Sequence, residues 1–365
     1  MPRRSRPALL AAAALLGLSA VLAPSAGAAA KVTTAGLEGV PHFDHVVVLT
    51  EENEAAATTF APGSPATYLK GLRSKGVFLP NYYGTGHASL DNYIAMVSGQ
   101  PPQPATMGDC AGLSLWACVQ PQGAIASGRN LADQLETARL DWRSYQDGTP
   151  SPCFHAAYSP TDPSPDPYQG NSATGGKNYA DRHNPFLYFP DVIGNTVRCA
   201  VHQRPFTDLA GDVRANRLPA FSFITPDTCN DGHDNPCAGR SVGGLVTADA
   251  WLKAQLPSLL RYLATHNGLL IVNFDEGGTP SSAQDAAANA AEYSCPGCTG
   301  RGLGGRTGAI LVSPRLPQGA TVTTAYDHYS LLRTIEDSFG IAEHLNAAGQ
   351  ATAFTDAFAR TRRAR

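Results

Sequence analysis

The stretch from Gly268 to Glu276 reads GLLIVNFDE and carries the clearest structural signal in the chain. Seven uncharged and mostly large apolar residues predict a buried β-strand over Gly268–Phe274. Asp275 and Glu276 follow that strand without a spacer. The stretch therefore predicts a strand inside a sheet, with two acidic side chains at its carboxyl end.

Apolar strands and helical patterns alternate along the rest of the chain. Further strands are predicted at His45–Thr50, Pro219–Ile224 and Gly308–Val312, and helices at Pro65–Ser74, Ser89–Val97, from an Asn130 cap to Ala138, Ala248–Thr265 and His328–Phe339. This alternation predicts an α/β protein, a three-layer α/β/α sandwich in a single domain. Two long loops rich in Gly and Pro, Cys153–Lys177 and Gly277–Gly305, are of the length that usually has a function.

The N-terminus has the pattern of a secretory signal peptide. Three arginines before residue 7 precede an apolar run, and small residues follow at 25–30. The alternative is a single membrane anchor, but the run is short for a bilayer and small residues follow it at once. We expect a signal peptide at 1–30, a main domain at 31–358 and a basic tail at 359–365. The mature protein is then secreted, with no stable membrane span.

The charge balance excludes one class of function. The chain has 27 Lys and Arg against 30 Asp and Glu. The charged residues of the predicted signal peptide are all basic, so its removal would make the chain more acidic. A general nucleic-acid binder is normally basic, so we expect no nucleic-acid partner. A phosphorylated substrate remains compatible, because bound metal can reverse the charge of a local site.

The chain contains eight cysteines, which could form disulfides or bind metal. An even number in an exported chain favours disulfides. Proximity along the chain suggests the pairs Cys110–Cys118, Cys153–Cys199, Cys229–Cys237 and Cys295–Cys298, although the sequence alone leaves the connectivity open. The alternative is zinc on Cys295-Pro-Gly-Cys298, but there is no second C-x-x-C pair nearby.

Acidic segments follow three of the predicted strands: Glu51-Glu52-Asn53, Asp227 to Asp234, and Asp275-Glu276. In α/β folds, ligands bind beyond the carboxyl ends of the strands, so these segments should converge on one pocket. Clustered carboxylates repel each other unless cations lie between them. Oxygen ligands together with histidine indicate divalent metal ions, whose identity the sequence does not set.

The segment Gly86–Tyr93 places Ser89 at a predicted helix start. A helix N-terminus offers free backbone N–H groups and positive potential to an anion. Asn92 lies one turn further on, where its amide could donate to a phosphoryl oxygen. A serine nucleophile and two metals are together sufficient for hydrolysis of a phosphate ester. The alternative is that Ser89 only caps the helix.

Five ordered motifs resemble a known family. They are Phe43-Asp44-His45-Val46-Val47-Val48 with Glu52-Asn53, Asn81-Tyr82-Tyr83 with His87-Ala88-Ser89 and Asn92-Tyr93, Phe223-Ile224-Thr225-Pro226 with Asn230–Asp234, Phe274-Asp275-Glu276, and Asp327–Glu336. The chain resembles the secreted bacterial phosphoesterases of the alkaline phosphatase superfamily, which include acid phosphatases, phosphatidylinositol phosphate phosphatases and C-type phospholipases. It departs from them at Ala88 and Asp91, where members often have proline, and at Gly277-Gly278, where further acids are usual.

The resemblance implies roles for individual residues. One metal would be held by Glu52, Asn53, Ser89, Asp275 and Glu276, and a second metal or a phosphate-facing group would use Asp231, His233 and His328, with Asp227 and Asp234 as further candidates. Ser89 would attack phosphorus and form a phosphoseryl intermediate, which water would cleave. His87 would serve the leaving group.

The implied function is a secreted phosphomonoesterase of the acid phosphatase type, acting on a small phosphate ester or a phospholipid headgroup. The main alternative is a phospholipase C-like phosphodiesterase, although no further lipid-binding domain is evident. A secreted metal- or ligand-binding protein without catalysis is a third possibility. A serine acyl hydrolase is disfavoured because Ser89 has no G-x-S-x-G motif. The oligomeric state is not set by the sequence.

Overall fold

The computed structural model describes residues 36–119, 128–168, 178–237, 239–277, 290–300 and 302–359. The predicted signal peptide lies outside the described residues, and so does all but the first residue of the predicted tail. Among the helices of the described segments, none combines the length and the apolar character that a bilayer crossing requires.

Most of the strands of the described residues belong to one sheet. In chain order the strands are β1 His45–Glu51, β2 Gly76–Leu79, β3 Tyr82–Tyr83, β4 Trp142–Gln146, β5 Gln203–Pro205, β6 Phe221–Thr225, β7 Gly268–Phe274, β8 Ala309–Val312, β9 Ala320–Thr321 and β10 Tyr326–Asp327. The main sheet has the order β5-β4-β6-β1-β7-β8-β2-β9, and β3 pairs with β10 separately. The run from β5 to β7 is parallel, whereas β8 is antiparallel to both of its neighbours. The carboxyl ends of β6, β1 and β7 therefore meet at one edge.

Helices cover both faces of this sheet. They are α1 Ala56–Thr59, α2 Thr67–Leu72, α3 Ser89–Ser98, α4 Leu115–Cys118, α5 Leu131–Thr137, α6 Pro190–Ile193, α7 Thr196–His202, α8 Leu209–Arg214, α9 Leu245–Thr265, α10 Ala290–Tyr293, α11 His328–Ser338 and α12 Thr355–Phe358. Alternate residues of β1 enter different cores: Val46 and Val48 pack with α3, α5 and α11, whereas Val47 and Leu49 pack with α2, α8 and α9. The predicted three-layer α/β/α arrangement is confirmed.

Local signals account for several helix boundaries. Asn130 caps α5, as the sequence predicts. It forms a reciprocal capping box with Asp133. Gly99 ends α3 in the left-handed conformation at φ 67°, which glycine adopts readily. The helix expected over Pro65–Ser74 is shorter, because α2 spans Thr67–Leu72 and then tightens into a 3₁₀ turn. Strands β4 and β5 were not predicted, since β4 reads WRSYQ and lacks an apolar run.

The four predicted disulfides are all present, and the described residues contain no free cysteine. The zinc interpretation of Cys295-Pro-Gly-Cys298 is therefore wrong, because each sulfur is bonded to the other.

Candidate metal and phosphate site

Backbone hydrogen bonds join the acidic segments that follow the strands. The Asp275 N–H donates to the Glu51 carbonyl at 3.0 Å, which continues the β1–β7 pairing past the strand ends. The Glu52 N–H donates to the Asp231 carbonyl at 2.7 Å, which ties the segment after β6 to the same point. The chain topology thus brings three carboxylates together, as the strand-end rule predicts.

The centre of the site is formed by Glu52, Asp231 and Asp275, whose side chains are fully buried. His183 lies between two of them: its Nε2 is 3.4 Å from Glu52 Oε2, and its Nδ1 is 3.5 Å from Asp231 Oδ2. One ligand atom each from Glu52, His183 and Asp231 lie within 4.8 Å of one another. Carboxylate oxygens and an imidazole at this spacing suit a divalent metal ion.

The hydrogen-bonding state of the carboxylates also fits a metal. Glu52 Oε1, Asp231 Oδ2 and Asp275 Oδ2 are buried and have no hydrogen-bond partner among the described residues. Buried carboxyl oxygens normally find a donor or a cation, so three unpaired oxygens in one cluster suit a positively charged partner. The donor set therefore fits divalent metal.

Burial and mutual repulsion perturb the ionisation of the cluster. Burial, followed by the charges of Asp275 and Asp231, raises the pKa of Glu52 well above its usual range. Burial and then Glu276 raise the pKa of Asp275 to about 8. Burial lowers the pKa of the His183 imidazole well below its usual range, and Arg182 adds to the effect. The imidazole is therefore neutral, which is the form that binds metal.

Ser89 is the first residue of α3 and points into this cluster. Its side chain is 4% exposed, and its hydroxyl donates to Glu52 Oε2 at 3.0 Å. The N-cap position belongs to Ala88, and no side chain caps the helix there. Ser89 is therefore not a helix cap. Its hydroxyl lies at a helix N-terminus and beside a candidate metal ligand.

The structure gives Asn92 a different contact set from the predicted one. Its amide nitrogen donates to the Gly86 and Ala88 carbonyls, at 2.9 and 3.0 Å. Its carbonyl oxygen accepts from the backbone N–H groups of Thr85 and Gly86 and from the Thr85 hydroxyl. Both amide hydrogens are thus engaged by the backbone. Asn92 shapes the turn that presents Ser89 and has no amide hydrogen left for a phosphoryl oxygen.

His328 also differs from its predicted role as a ligand. One ring nitrogen, Nδ1, lies 2.7 Å from the Tyr82 hydroxyl, and Nε2 lies 2.6 Å from the Asp275 backbone carbonyl. Both nitrogens therefore have hydrogen-bond partners. Burial lowers the pKa of this imidazole to about 4, so it is neutral near pH 7. His328 thus contacts the Asp275 backbone, and its role as a ligand stays a prediction.

The remaining predicted residues surround the cluster. Asn53 is half-buried in the left-handed region at φ 55°, and its N–H donates to Asp275 Oδ1 at 3.0 Å. Glu276 is buried, and its Oε2 lies 2.8 Å from Nδ1 of His87. His233 is half-buried, and its N–H donates to Asp231 Oδ1 at 2.8 Å. These three residues lie at the margin of the cluster.

The two weaker candidates after β6 make local contacts. Asp234 Oδ1 pairs with the His233 ring at 2.8 Å, and its other oxygen accepts from the Thr228 hydroxyl. Asp227 Oδ1 accepts from the Cys229 N–H at 3.1 Å. These contacts stabilise the loop rather than the carboxylate centre.

Two site residues were missed by the sequence reasoning, His183 and its neighbour Arg182. The His183 ring stacks on Tyr93 of α3, with ring centroids 5.2 Å apart and planes 6° apart. Arg182 is 7% exposed, and its Nε lies 4.0 Å from Oδ2 of Asp109. The other oxygen of Asp109 accepts from the Leu90 N–H at 2.9 Å, at the helix start beside Ser89. The only sequence signal was an Arg-His pair following a long loop.

Comparison with known proteins adds independent information. The sequence profile of the Phosphoesterase family matches residues 47–342. The chain is 26% identical to the phosphate-repressible acid phosphatase of Penicillium chrysogenum over 82% of its own length, but it spans only 60% of that protein. It is 25% identical to the phosphatidylinositol-3-phosphatase of Mycobacterium tuberculosis, over 90% of this chain and 88% of that one.

Among solved structures, the PsFucS1 sulfatase from Pseudoalteromonas sp. aligns with a TM-score of 0.52 at 12% identity. The alignment covers 87% of this chain and 72% of the sulfatase. At this identity the likeness shows a shared fold. The predicted α/β/α fold is therefore shared with the sulfatase.

Proposed function

This chain belongs to the Phosphoesterase family, and from that membership we propose that it is a secreted, metal-dependent phosphomonoesterase of the acid phosphatase type. One observation carries the proposal: the Ser89 hydroxyl, at a helix N-terminus, donates to Glu52 inside a cluster of buried carboxylates with unpaired oxygens. Two relatives that align over most of this chain are named as phosphatases, which favours a monoester substrate.

The residues that would hold divalent metal are Glu52, Asp231 and Asp275, with His183 between the first two. Asn53, Glu276 and His233 stand at the margin as further ligand candidates, and Ser89 is itself within reach of Glu52. When bound, the metal would neutralise phosphoryl oxygens and ease ionisation of the serine hydroxyl.

The chain's own residues supply the remaining steps. Ser89 Oγ forms the bond to phosphorus, and its proton leaves along the existing hydrogen bond toward Glu52. The P–O bond to the alcohol breaks, and the departing oxygen needs a proton. His87, oriented by Glu276 through Nδ1, is the candidate donor. Water then cleaves the phosphoserine and releases phosphate.

Fixed positive charge near Ser89 supports the same chemistry. Arg182 is buried at the site, and its charge opposes the rise in the pKa of both Glu52 and Asp231. A guanidinium beside the start of α3 is placed to attract a dianionic phosphate, and a phosphomonoester carries more charge than a diester.

Secretion rests on the N-terminal sequence pattern and is compatible with four disulfides, which form and persist in oxidising compartments.

The test compares 4-nitrophenyl phosphate with bis(4-nitrophenyl) phosphate on purified protein, with and without chelator, alongside metal analysis of the same samples. We expect a kcat/KM for the monoester at least about tenfold above that for the diester, which corresponds to about 1.4 kcal/mol of transition-state preference. We also expect loss of activity as metal leaves the protein. A higher diester rate would replace this proposal with the phospholipase C-like alternative. No hydrolysis of either ester by metal-loaded protein would leave the binding-protein alternative.

A further inference from the structure

A cavity of about 370 Å³ opens beside the helix start that carries Ser89. Gly86 and His87 from the turn before α3 form one side of it. His87 is bound to Glu276, the direct neighbour of Asp275, so the cavity shares a wall with the carboxylate cluster. Its volume is in the range of small-molecule sites and accommodates an aryl ring or a short aliphatic group.

Other residues that line the cavity are apolar and exposed. Met107 and Leu303 line the cavity, and 59% and 54% of their surfaces are exposed, which is unusual for large apolar residues of this chain. Pro102 completes this side. An apolar ligand body that covered these side chains would gain about 25 cal/mol for each Å² removed from water. The walls therefore fit the organic part of a substrate and not its phosphate.

The residues that line the cavity include a carboxyl group that the proposed reaction does not use. Asp91 lines the cavity and is 1% exposed, and the Asn92 backbone N–H lies beside its carboxyl. Neither carboxyl oxygen has a hydrogen-bond partner of normal geometry among the described residues. The carboxyl lies directly against Gly86, where an added Cβ would come within 2.4 Å of both oxygens. The turn therefore leaves room for this group only because residue 86 is glycine.

An unpaired buried carboxyl is costly, so its persistence in a cavity indicates a partner that arrives with the ligand.

We propose that this cavity is the leaving-group subsite, and that Asp91 accepts a hydrogen bond from a hydroxyl or ammonium group of the departing alcohol. The proposal rests on the phosphomonoesterase function and narrows its substrate class. The substrate is a phosphomonoester whose alcohol has an apolar body and carries a hydrogen-bond donor.

The experiment uses three esters of nearly equal shape: 4-ethylphenyl, 4-(hydroxymethyl)phenyl and 4-(aminomethyl)phenyl phosphate. The ethyl ester fills the same space without a donor, so the ratio of kcat/KM values isolates the contact with Asp91. With the wild-type protein, we expect kcat/KM for at least one donor-bearing ester to exceed that for the ethyl ester by about tenfold. The reason is that the ethyl ester leaves the buried Asp91 carboxyl unpaired, which lowers its kcat/KM. Ratios within about twofold of one for both donors would overturn the inference.

Variants then assign the preference to one side chain. Asp91→Leu has a similar size and no acceptor, so the preference should disappear. Asp91→Asn keeps an acceptor without the charge, so a hydroxyl preference should survive and an ammonium preference should fall. Asp44→Asn is the matched control, because Asp44 is an exposed carboxylate preceding β1 at the other edge of the sheet. It should keep the wild-type ratios.

The outcomes separate this inference from the function on which it rests. If all three esters are hydrolysed with equal kcat/KM, the phosphomonoesterase proposal stands and the subsite inference fails. A wild-type preference that Asp91→Leu leaves intact also overturns the inference. If no ester is hydrolysed by metal-loaded protein, both fail. The wild-type ratios need no variant, so poor folding of Asp91→Leu does not remove the test.

Discussion

Replacing Ser89 by alanine separates a nucleophile from a buried structural hydroxyl. The side chain makes one hydrogen bond, to Glu52 Oε2 at 3.0 Å, and does not cap α3. A single hydrogen bond contributes about 1 kcal/mol net, so the substitution should lower stability by that order or less. If Ser89 forms the bond to phosphorus, its loss should reduce turnover by a factor of at least about 10³.

The same helix provides a matched control. Ser98 is fully buried at the other end of α3, and its hydroxyl donates to the Ile94 carbonyl at 2.7 Å. The same hydroxyl accepts a longer hydrogen bond from the Gln100 N–H at 3.4 Å. Ser98→Ala therefore removes one buried hydroxyl with two hydrogen bonds, far from the carboxylate cluster, and should lower the melting temperature at least as much as Ser89→Ala. Only Ser89→Ala should lose turnover.

The assay is hydrolysis of 4-nitrophenyl phosphate by metal-loaded protein, after circular dichroism and thermal melting confirm that each variant is folded. Acid quenching during turnover, followed by mass spectrometry, should find phosphate on the Ser89 peptide of the wild type. Turnover of folded Ser89→Ala within about tenfold of wild type would refute the reasoning. A large rate loss without a trapped phosphoserine would instead assign Ser89 to metal binding.

Three further predictions concern the carboxylate cluster. Dialysis against a strong chelator should remove divalent metal together with activity, and Asp231→Asn should retain less metal than wild type by elemental analysis; full activity in metal-free protein would contradict this. His183→Gln should lower turnover by about 10² or more with little change in melting temperature, whereas His202→Gln, at a ring stacked on Trp142, should leave turnover within a few-fold. Folding raises the pKa of Asp275 to about 8, so the folded protein without metal binds this proton more tightly than the unfolded chain does. The resulting stability is present at low pH and is lost as the pH rises toward 8. The melting temperature of metal-free protein should therefore fall between about pH 4 and 8, and Asp275→Asn should flatten that slope.

The part of the molecule that the sequence predicts is the part governed by periodicity and strand order. GLLIVNF is a strand because most of its residues are large and apolar, and the acids after it lie beside the segment that follows β1 because β1 and β7 are parallel. Ser89 begins a helix, as predicted, and Gly99 closes it. These inferences need only local sequence and one topological rule.

The rest depends on tertiary contacts that periodicity does not encode. His183 comes from a 3₁₀ turn outside the strands and is placed by stacking on Tyr93 and by two carboxylates from distant segments. Strand β4 was not predicted because its sequence, WRSYQ, has no apolar run. Its polar residues are nevertheless mostly buried in the folded protein. A side chain's rotation is likewise not set by its place at a helix start or a strand end.

Asn92 and His328 show how the rotation of a side chain determines its contacts. Both belong to the motifs that carry the family resemblance, and both were expected to reach substrate or metal. Asn92 instead uses its whole amide to fix the turn before Ser89, and His328 spans from Tyr82 to the Asp275 carbonyl. A reacting hydroxyl and a charged carboxylate must be held in place while neighbouring charges repel them, and buried neutral groups can do this without adding charge. Thus a motif can be required for the chemistry even where its residues do not touch the reacting atoms.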